Sequence, residues 1–311
     1  MRALRFRFVL KTVLFAQFFA VATACSHRLP AAAPSQSLFL AIPDKRTIAV
    51  FPVDVSEAPK PLARIVEDAP DEPLDASTDA AREIFVANVN GNVKAFGGQN
   101  YHYSRIHLLE GPNTKLAHPQ GIAVDMAGSF YVADAGEAPG QGRIEWFAGN
   151  MNGDVSPNRL IKGAQTQLSN PVGIALDGSG RIYVADESAN KVLVFAAEAD
   201  GDVAPIAVID GLHQPQRVFV DSFLNIFVSN KGDNTISVFE NDGPTTWDAN
   251  GTLSGDAVKD PRGVVTDSTG RVIVGVPGEL VFFPPNSKGI VQPVAILSLG
   301  QGLDPAGISI R

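Results

Sequence analysis

The sequence predicts an all-β fold, a ring of six four-stranded antiparallel sheets in which the last strand of the chain completes the first sheet. Three observations lead there. First, a phrase opening on proline recurs at Pro119, Pro171, Pro215, Pro261 and Pro305, with spacings of 52, 44, 46 and 44 residues. Pro73, 46 residues before Pro119, heads a degenerate copy, "EPLDASTDAAREIFVAN". Second, short β-branched and aromatic runs alternate with Gly/Asn/Asp turns between these prolines, without a helical period. Third, 29 Gly and 22 Pro accompany 45% hydrophobic and 19% charged residues, the balance of a turn-rich, well-cored chain.

The unit from Pro171 shows the grammar most clearly. "GIALD" (Gly173 to Asp177) is a first strand, and "GSG" is a tight hairpin turn. "RIYVAD" (Arg181 to Asp186) is a second strand, "ESAN" a turn, and "KVLVF" (Lys191 to Phe195) a third strand closed by an aromatic. A polar loop, "AAEADGDVAP", leads to a fourth strand, "IAVID" (Ile206 to Asp210). One such sheet cannot bury both faces alone, whereas sheets stacked around an axis can, which is the β-propeller arrangement. Phe51, Phe96, Phe147, Phe195, Phe239 and Phe283 close the third strands and are expected in the core between blades.

Second strands begin at Leu38, Ile84, Phe130, Ile182, Ile226 and Val272, so the blades number six. The first lacks a proline-headed strand before it. The closing phrase "DPAGISIR" (Asp304 to Arg311) is such a strand with no blade after it. Joined, they close the ring; left apart, they would expose two sheet edges.

The phrases "PQGIAVDMAGSFYVAD", "PVGIALDGSGRIYVADESANKVLVF" and "PQRVFVDSFLNIFVSNKGDNTISVF" resemble NHL-repeat propellers, and the resemblance runs from Leu38 onward. It implies the fold; such propellers host binding, scaffold and catalytic roles alike. The related senescence-marker/gluconolactonase family is a six-bladed propeller with a divalent cation held by acidic and amide side chains in the channel. That likeness implies calcium or a similar cation, and lactone hydrolysis, as the alternative function. The acidic residue of that family's early strand has no counterpart in "SLFLAI".

Ahead of the propeller, Arg2, Arg5, Arg7 and Lys11 precede the apolar run "TVLFAQFFAVATA", a basic then hydrophobic order that reads as a signal peptide over residues 1–24. Cys25 is the one cysteine and cannot form an internal disulfide. Its setting, "VATAC", resembles a bacterial lipobox, which implies acylation of Cys25 and anchoring to the membrane; Ser26 at the next position implies the outer membrane. Ordinary cleavage after Ala24, with Cys25 incidental, is the other reading. Residues 25–37 have the Pro/Ala/Ser content of a tether, and 38–311 form the propeller. Loss of the four basic residues takes the net charge from −8 to −12, and no basic patch appears in the body, which argues against nucleic acid as a partner. The expected state is a monomer.

The entry of each innermost strand, and the turn between second and third strands, share one face of the ring, here called the top. Glu72, His118, Asn170, Gln214, Asp260 and Asp304 precede the opening prolines and are expected around the channel mouth. Asp134, Asp186 and Asn230 end second strands beside them and are the candidate metal ligands. The same residue types also form turns by accepting backbone N–H groups. Arg217 stands where other units have Gly121, Gly173, Gly263 and Gly307, a long cation suited to an anion or to a neighbouring acid. The top loop Ala135 to Gly142 is four residues longer than "ESAN", as binding loops on rigid scaffolds often are. Asp125, Asp177, Asp221 and Asp267 start the hairpins of the opposite face and read as turn formers. No nucleophile elbow, HExxH, CxxC or phosphate loop is present in the sequence. The residues therefore point to a protein or small polar ligand bound on the top face without catalysis, with the metal-dependent lactonase as alternative.

Overall fold

Each proline-headed phrase becomes the innermost strand of a blade. The computed structural model describes residues 36–54, 60–300 and 303–311; the expected signal peptide, Cys25 and most of the tether lie outside them. Among the described residues there is no α-helix, only four short 3-10 turns.

Blade 2 is Pro73–Thr78, Ile84–Asn88, Asn92–Gln99 and His102–Leu109; blade 3 is Pro119–Val124, Phe130–Asp134, Arg143–Phe147 and Arg159–Ile161. Blade 4 is Pro171–Leu176, Ile182–Asp186, Lys191–Phe195 and Ala207–Ile209. In blade 5, Pro215–Val220 and Ile226–Asn230 are followed by a long hairpin, Thr235–Gly243 and Thr246–Ser254. Blade 6 comprises Gly263–Thr266, Val272–Val276, Glu279–Phe283 and Ala295–Ser298. Blade 1 takes Ser37–Ile42, Thr47–Pro52 and Ala63–Val66 from the front of the chain, and its innermost strand, Gly307–Ile310, from the back. That strand pairs antiparallel with Ser37–Ile42, Leu40 opposite Ile308, and Ser37 and Arg311 exchange both backbone hydrogen bonds. The ring closes as the repeat count requires.

The core is six clusters, one per blade interface. Each contains one of the third-strand phenylalanines: Phe51 between blades 6 and 1, Phe96 between 1 and 2, Phe147 between 2 and 3, Phe195 between 3 and 4, Phe239 between 4 and 5, and Phe283 between 5 and 6. All six are buried. An apolar stack repeated at blade spacing supplies the burial that a single sheet lacks.

The hairpins of the bottom face are built as expected. Asp125 Oδ1 accepts the N–H groups of Ala127 and Ser129, and Asp177, Asp221 and Asp267 repeat this pattern two and four residues on. Burial pushes the Asp177 carboxyl up, but hydrogen bonds from Ser179, Arg181 and Tyr183 outweigh it and hold the group below its ordinary value.

The loop between third and outer strands does more than connect. In blade 3, Asn152 accepts the N–H of Leu108 and Asp154 that of Asn113, both in blade 2 or just after it. In blade 4, Asp200 accepts the N–H of Leu160 and Asp202 that of Gln165, on the blade 3 side. In blade 6, Gly289–Ile290 pairs with Leu253 and Ser254, which gives blade 5 a fifth, two-residue strand. These loops clamp blades 3, 4 and 6 each to the blade before it.

Candidate functional site

The top of the channel is organised by a bulge. In blades 2, 3, 4 and 5 the register shifts immediately after the opening proline, so that Leu74, Gln120, Val172 and Gln216 drop out of the ladder. An extra residue of this kind loses its strand partner. Its carbonyl must find a donor elsewhere or stay wet.

Arg217 is that donor for all four. Its Nη1 donates to Val172 O at 2.7 Å and Gln216 O at 3.0 Å. Its Nη2 donates to Leu74 O at 3.0 Å and Gln120 O at 3.1 Å. One guanidinium thus ties four consecutive blades together on the axis, using the planar fork of donors that lysine does not offer. Room for it comes from the glycines in the same column: a Cβ on Gly173 would stand 2.6 Å from Gln216 O and 2.8 Å from Arg217 Cα.

Across the channel stands Asp75. It occupies the column of Arg217 in blade 2, three blades away and therefore opposite in a ring of six. Arg217 Nε lies 3.7 Å from Asp75 Oδ2, with side chains 11% and 7% exposed, so the pair is nearly out of water. Asp75 also accepts the N–H groups of Ala76 and, from blade 3, Ile122. Burial pushes its carboxyl up; the Arg217 charge and the two amides pull the other way without cancelling the rise. Sequence reasoning marked Arg217 but missed Asp75. The signal was in the alignment: Asp75 follows Pro73 by two residues, as Arg217 follows Pro215.

The candidate metal ligands are occupied by backbone. Asp134 accepts the N–H groups of Ala117, His118 and Gly136, and Asp186 those of Ser169, Asn170 and Ala189, so every oxygen of both carboxylates has a donor. Asn230 accepts the His213 N–H and donates to Ser237 and Thr235. All three are at most 1% exposed. They tie the second-strand turn to the approaching innermost strand. Among the described residues no group of three or more His, Cys, Asp and Glu is close enough to share a metal ion.

The rim residues are not brought into one cluster. Asn170 donates to Glu187, which also accepts from Gln216, linking blades 4 and 5. The Gln214 N–H is taken by Asn190 and the Asp260 N–H by Asn234, while the Asp260 side chain pairs with Arg262 at 2.8 Å. Glu72 is exposed and Asp304 half-buried. His118 and Asn170 do share a feature: both line a groove of about 350 Å³ between blades 3 and 4, walled by the long loop from Ala135 to Gly140. Glu187 and Gln216 were not picked out from the sequence, since polar residues at turns carry no signal that separates rim contacts from solvation.

Two buried ionic groups stand behind the rim. Lys94 sits between Glu67 and Asp71 and joins the exit of blade 1 to blade 2. Glu145, fully buried in blade 3, accepts from Arg143 Nε at 2.7 Å. Burial, with Asp134 nearby, pushes the Glu145 carboxyl well up, against the pull of Arg143.

Comparison with known proteins agrees with this architecture. The NHL repeat family model matches residues 168–195, which span the approach to blade 4 and its first three strands. Among curated proteins no sequence matches. Among solved structures, a protein of unknown function from Bacteroides caccae is similar with a TM-score of 0.66 and 13% identity, covering 89% of this chain and 99% of that one. A periplasmic gluconolactonase from Pseudomonas aeruginosa is similar with a TM-score of 0.64 and 15% identity, covering 88% of this chain and 98% of that one. A functionally unknown protein from Desulfotomaculum acetoxidans gives 0.59 and 18%, covering 84% and 80%. At such identities the likeness is one of fold. The chain is a six-bladed β-propeller with an NHL repeat at residues 168–195.

Proposed function

We propose that this propeller is a non-enzymatic binding module, held at the outer membrane through a lipid on Cys25, that takes a protein or small polar ligand on its top face. The observation that carries the reading is the groove of about 350 Å³ beside the lengthened loop, with His118 and Asn170 on its walls. A concave site with a few polar groups, next to a loop longer than its counterparts, is where recognition on a rigid scaffold is expected. The lactonase alternative draws on the likeness to a gluconolactonase, a likeness of fold alone. It needs free carboxylates about the axis. Of the channel-mouth carboxylates that it would use, Asp134 and Asp186 accept backbone N–H groups and Asp260 pairs with Arg262. Asp75, nearer the axis, faces the guanidinium of Arg217 and accepts two backbone N–H groups.

The test is site-specific photocrosslinking in cells from position 139, at the groove, against position 208, on the outer edge of blade 4. Crosslinks from 139 that vanish in His118→Ala/Asn170→Ala support the reading. Their absence, or divalent-cation-dependent turnover of lactones by the purified chain, overturns it. Cys25→Ser is expected to abolish lipid labelling; continued labelling removes the anchor from the proposal.

A further inference from the structure

The Arg217–Asp75 pair seals the channel near its top, and below it the channel stays open. We infer that this lower half is a second binding site, entered from the bottom face, for a small uncharged molecule bearing hydroxyl groups. It is independent of the top-face reading, since it lies on the other side of the seal.

The space is a cavity of about 260 Å³, roofed by Asp75 and Arg217 and reaching down to Thr78 and Arg311. That is just below the range usual for small-molecule sites, about 300–1,000 Å³, and suits a ligand of roughly four to six carbons.

Hydrogen-bonding capacity in this cavity is unspent. Four of the five N–H groups of Arg217 face bulge carbonyls, but Nε is buried without a hydrogen-bond acceptor. Ser309 Oγ, on the blade 1 wall, is likewise buried without a hydrogen-bond partner. The walls add more. An innermost strand is paired on one side only, so every second residue turns its N–H and C=O to the axis. Gln120 O and Ile122 N show this alternation at the roof, where Arg217 and Asp75 take them. The same alternation continues down the strands beside the cavity.

The geometry of the roof selects a hydroxyl. Arg217 Nε and Asp75 Oδ2 are 3.7 Å apart, too far for a direct hydrogen bond. An O–H placed below them accepts from Nε and donates to Oδ2, which an ether, a carboxylate or an ammonium does not do. The charge balance selects against ions. The roof pair neutralises itself, and the walls between roof and mouth are Ser, Ala, Val, Ile, Leu and Phe side chains. The other charged side chain of the lining, Arg311, stands at the mouth with its guanidinium on Met126 Sδ. A charged ligand would lose its hydration there without a partner charge. Ile174, Val264 and Ile308 offer apolar surface to the C–H faces of a polyol.

The experiment uses the purified full chain and saturation-transfer NMR with erythritol and myo-inositol as probes and succinate as the charged comparison. The expected result is saturable transfer to at least one polyol at millimolar concentration and none to succinate. Ser309→Leu fills the cavity below the roof and leaves Arg217 and Asp75 in place; binding is expected to weaken roughly tenfold or more. Ala175→Leu fills it from blade 4 and serves if Ser309→Leu fails to fold. His118→Ala, on the other face, should bind as wild type. Three outcomes overturn the inference: no saturable transfer, equal binding of succinate, or undiminished polyol binding in a folded, cavity-filled variant. A crystal soaked in erythritol that shows only water in the lower channel overturns it as well.

Discussion

Blades 2 and 5 meet the axis with the acid–base pair Asp75 and Arg217, whereas blades 1, 3, 4 and 6 meet it with Gly307, Gly121, Gly173 and Gly263. The two kinds of blade depend on each other. The glycines leave the axis vacant, and a Cβ on Gly121 or Gly173 would come within 2.8 Å of a neighbouring blade's carbonyl oxygen. The pair then fills what the glycines vacate, and its guanidinium bonds the carbonyls that four bulges release. A departure from the repeat in one blade is thus matched by a departure in the blade opposite, and neither makes sense alone.

Removing the cation should have the largest effect. Arg217→Ala strands four carbonyls and leaves Asp75 buried without its counter-charge. Breaking a buried pair on one side costs about 3–5 kcal/mol, which for a domain of this size lowers the Tm by about 10 °C. The sharper experiment is the cycle. Asp75→Gly/Arg217→Gly gives all six blades the glycine pattern and opens the top of the channel to water. Its destabilisation should fall short of the summed single mutants by about 1–3 kcal/mol, measured by chemical denaturation. Additive effects would mean that the opposite blades are not coupled through the axis.

Gly173→Ala probes the other half of the comparison. The new methyl meets Gln216 O and the Arg217 backbone, neither of which is a flexible side-chain end. Overpacking of this kind costs about 1–3 kcal/mol. The same change at Gly178, where a Cβ meets nothing within 4 Å, should be close to neutral. Equal Tm values for the two variants would remove close packing as the reason for glycine in this column.

Most of the fold was legible because a repeat protein states its grammar several times over. The six phenylalanines, the four hairpin aspartates and the split first blade could each be read by aligning one unit on another. The candidate site was less legible for a physical reason. An Asp that ends a second strand looks the same whether it holds a metal or three backbone amides, as Asp134 and Asp186 do. What decides is where the released N–H groups point, and that depends on the bulge after the proline. Asp75 was hidden by the degeneracy of its unit, although its column was known. The clamp loops were hidden differently: "NGDV" and "DGDV" recur, but their partners lie on the preceding blade.

The clamps give a smaller effect. Asp154→Ala removes the acceptor for the Asn113 N–H at an exposed position and should cost about 1 kcal/mol. Blade 5 carries its long hairpin in place of such a loop, so no equivalent substitution exists at the boundary of blades 4 and 5. Hydrogen exchange offers the comparison: in Asp154→Ala the amides of Leu108 and Asn113 should lose protection, while Val208 and Ile209 in blade 4 stay as in wild type.

The smallest effect carries a sign. Glu145 lies in the interface with its carboxyl raised by burial, whereas Asp177 lies in a hairpin with its carboxyl lowered by donors. A raised carboxyl contributes stability that is fully present below the unfolded value, about 4.3 for Glu, and is lost as the pH climbs through the folded one. A lowered carboxyl does the reverse: its contribution is present above about 3.9 for Asp and is lost as the pH falls through the folded value. Glu145→Gln should therefore gain on wild type as the pH is raised from 5 to 8. Asp177→Asn should close its deficit only below pH 4. Thermal unfolding of both variants across this range separates the two environments. A Glu145→Gln curve parallel to wild type would mean that Arg143 holds Glu145 ionised throughout, and that the interface between blades 2 and 3 tolerates a buried charge as readily as a hairpin does.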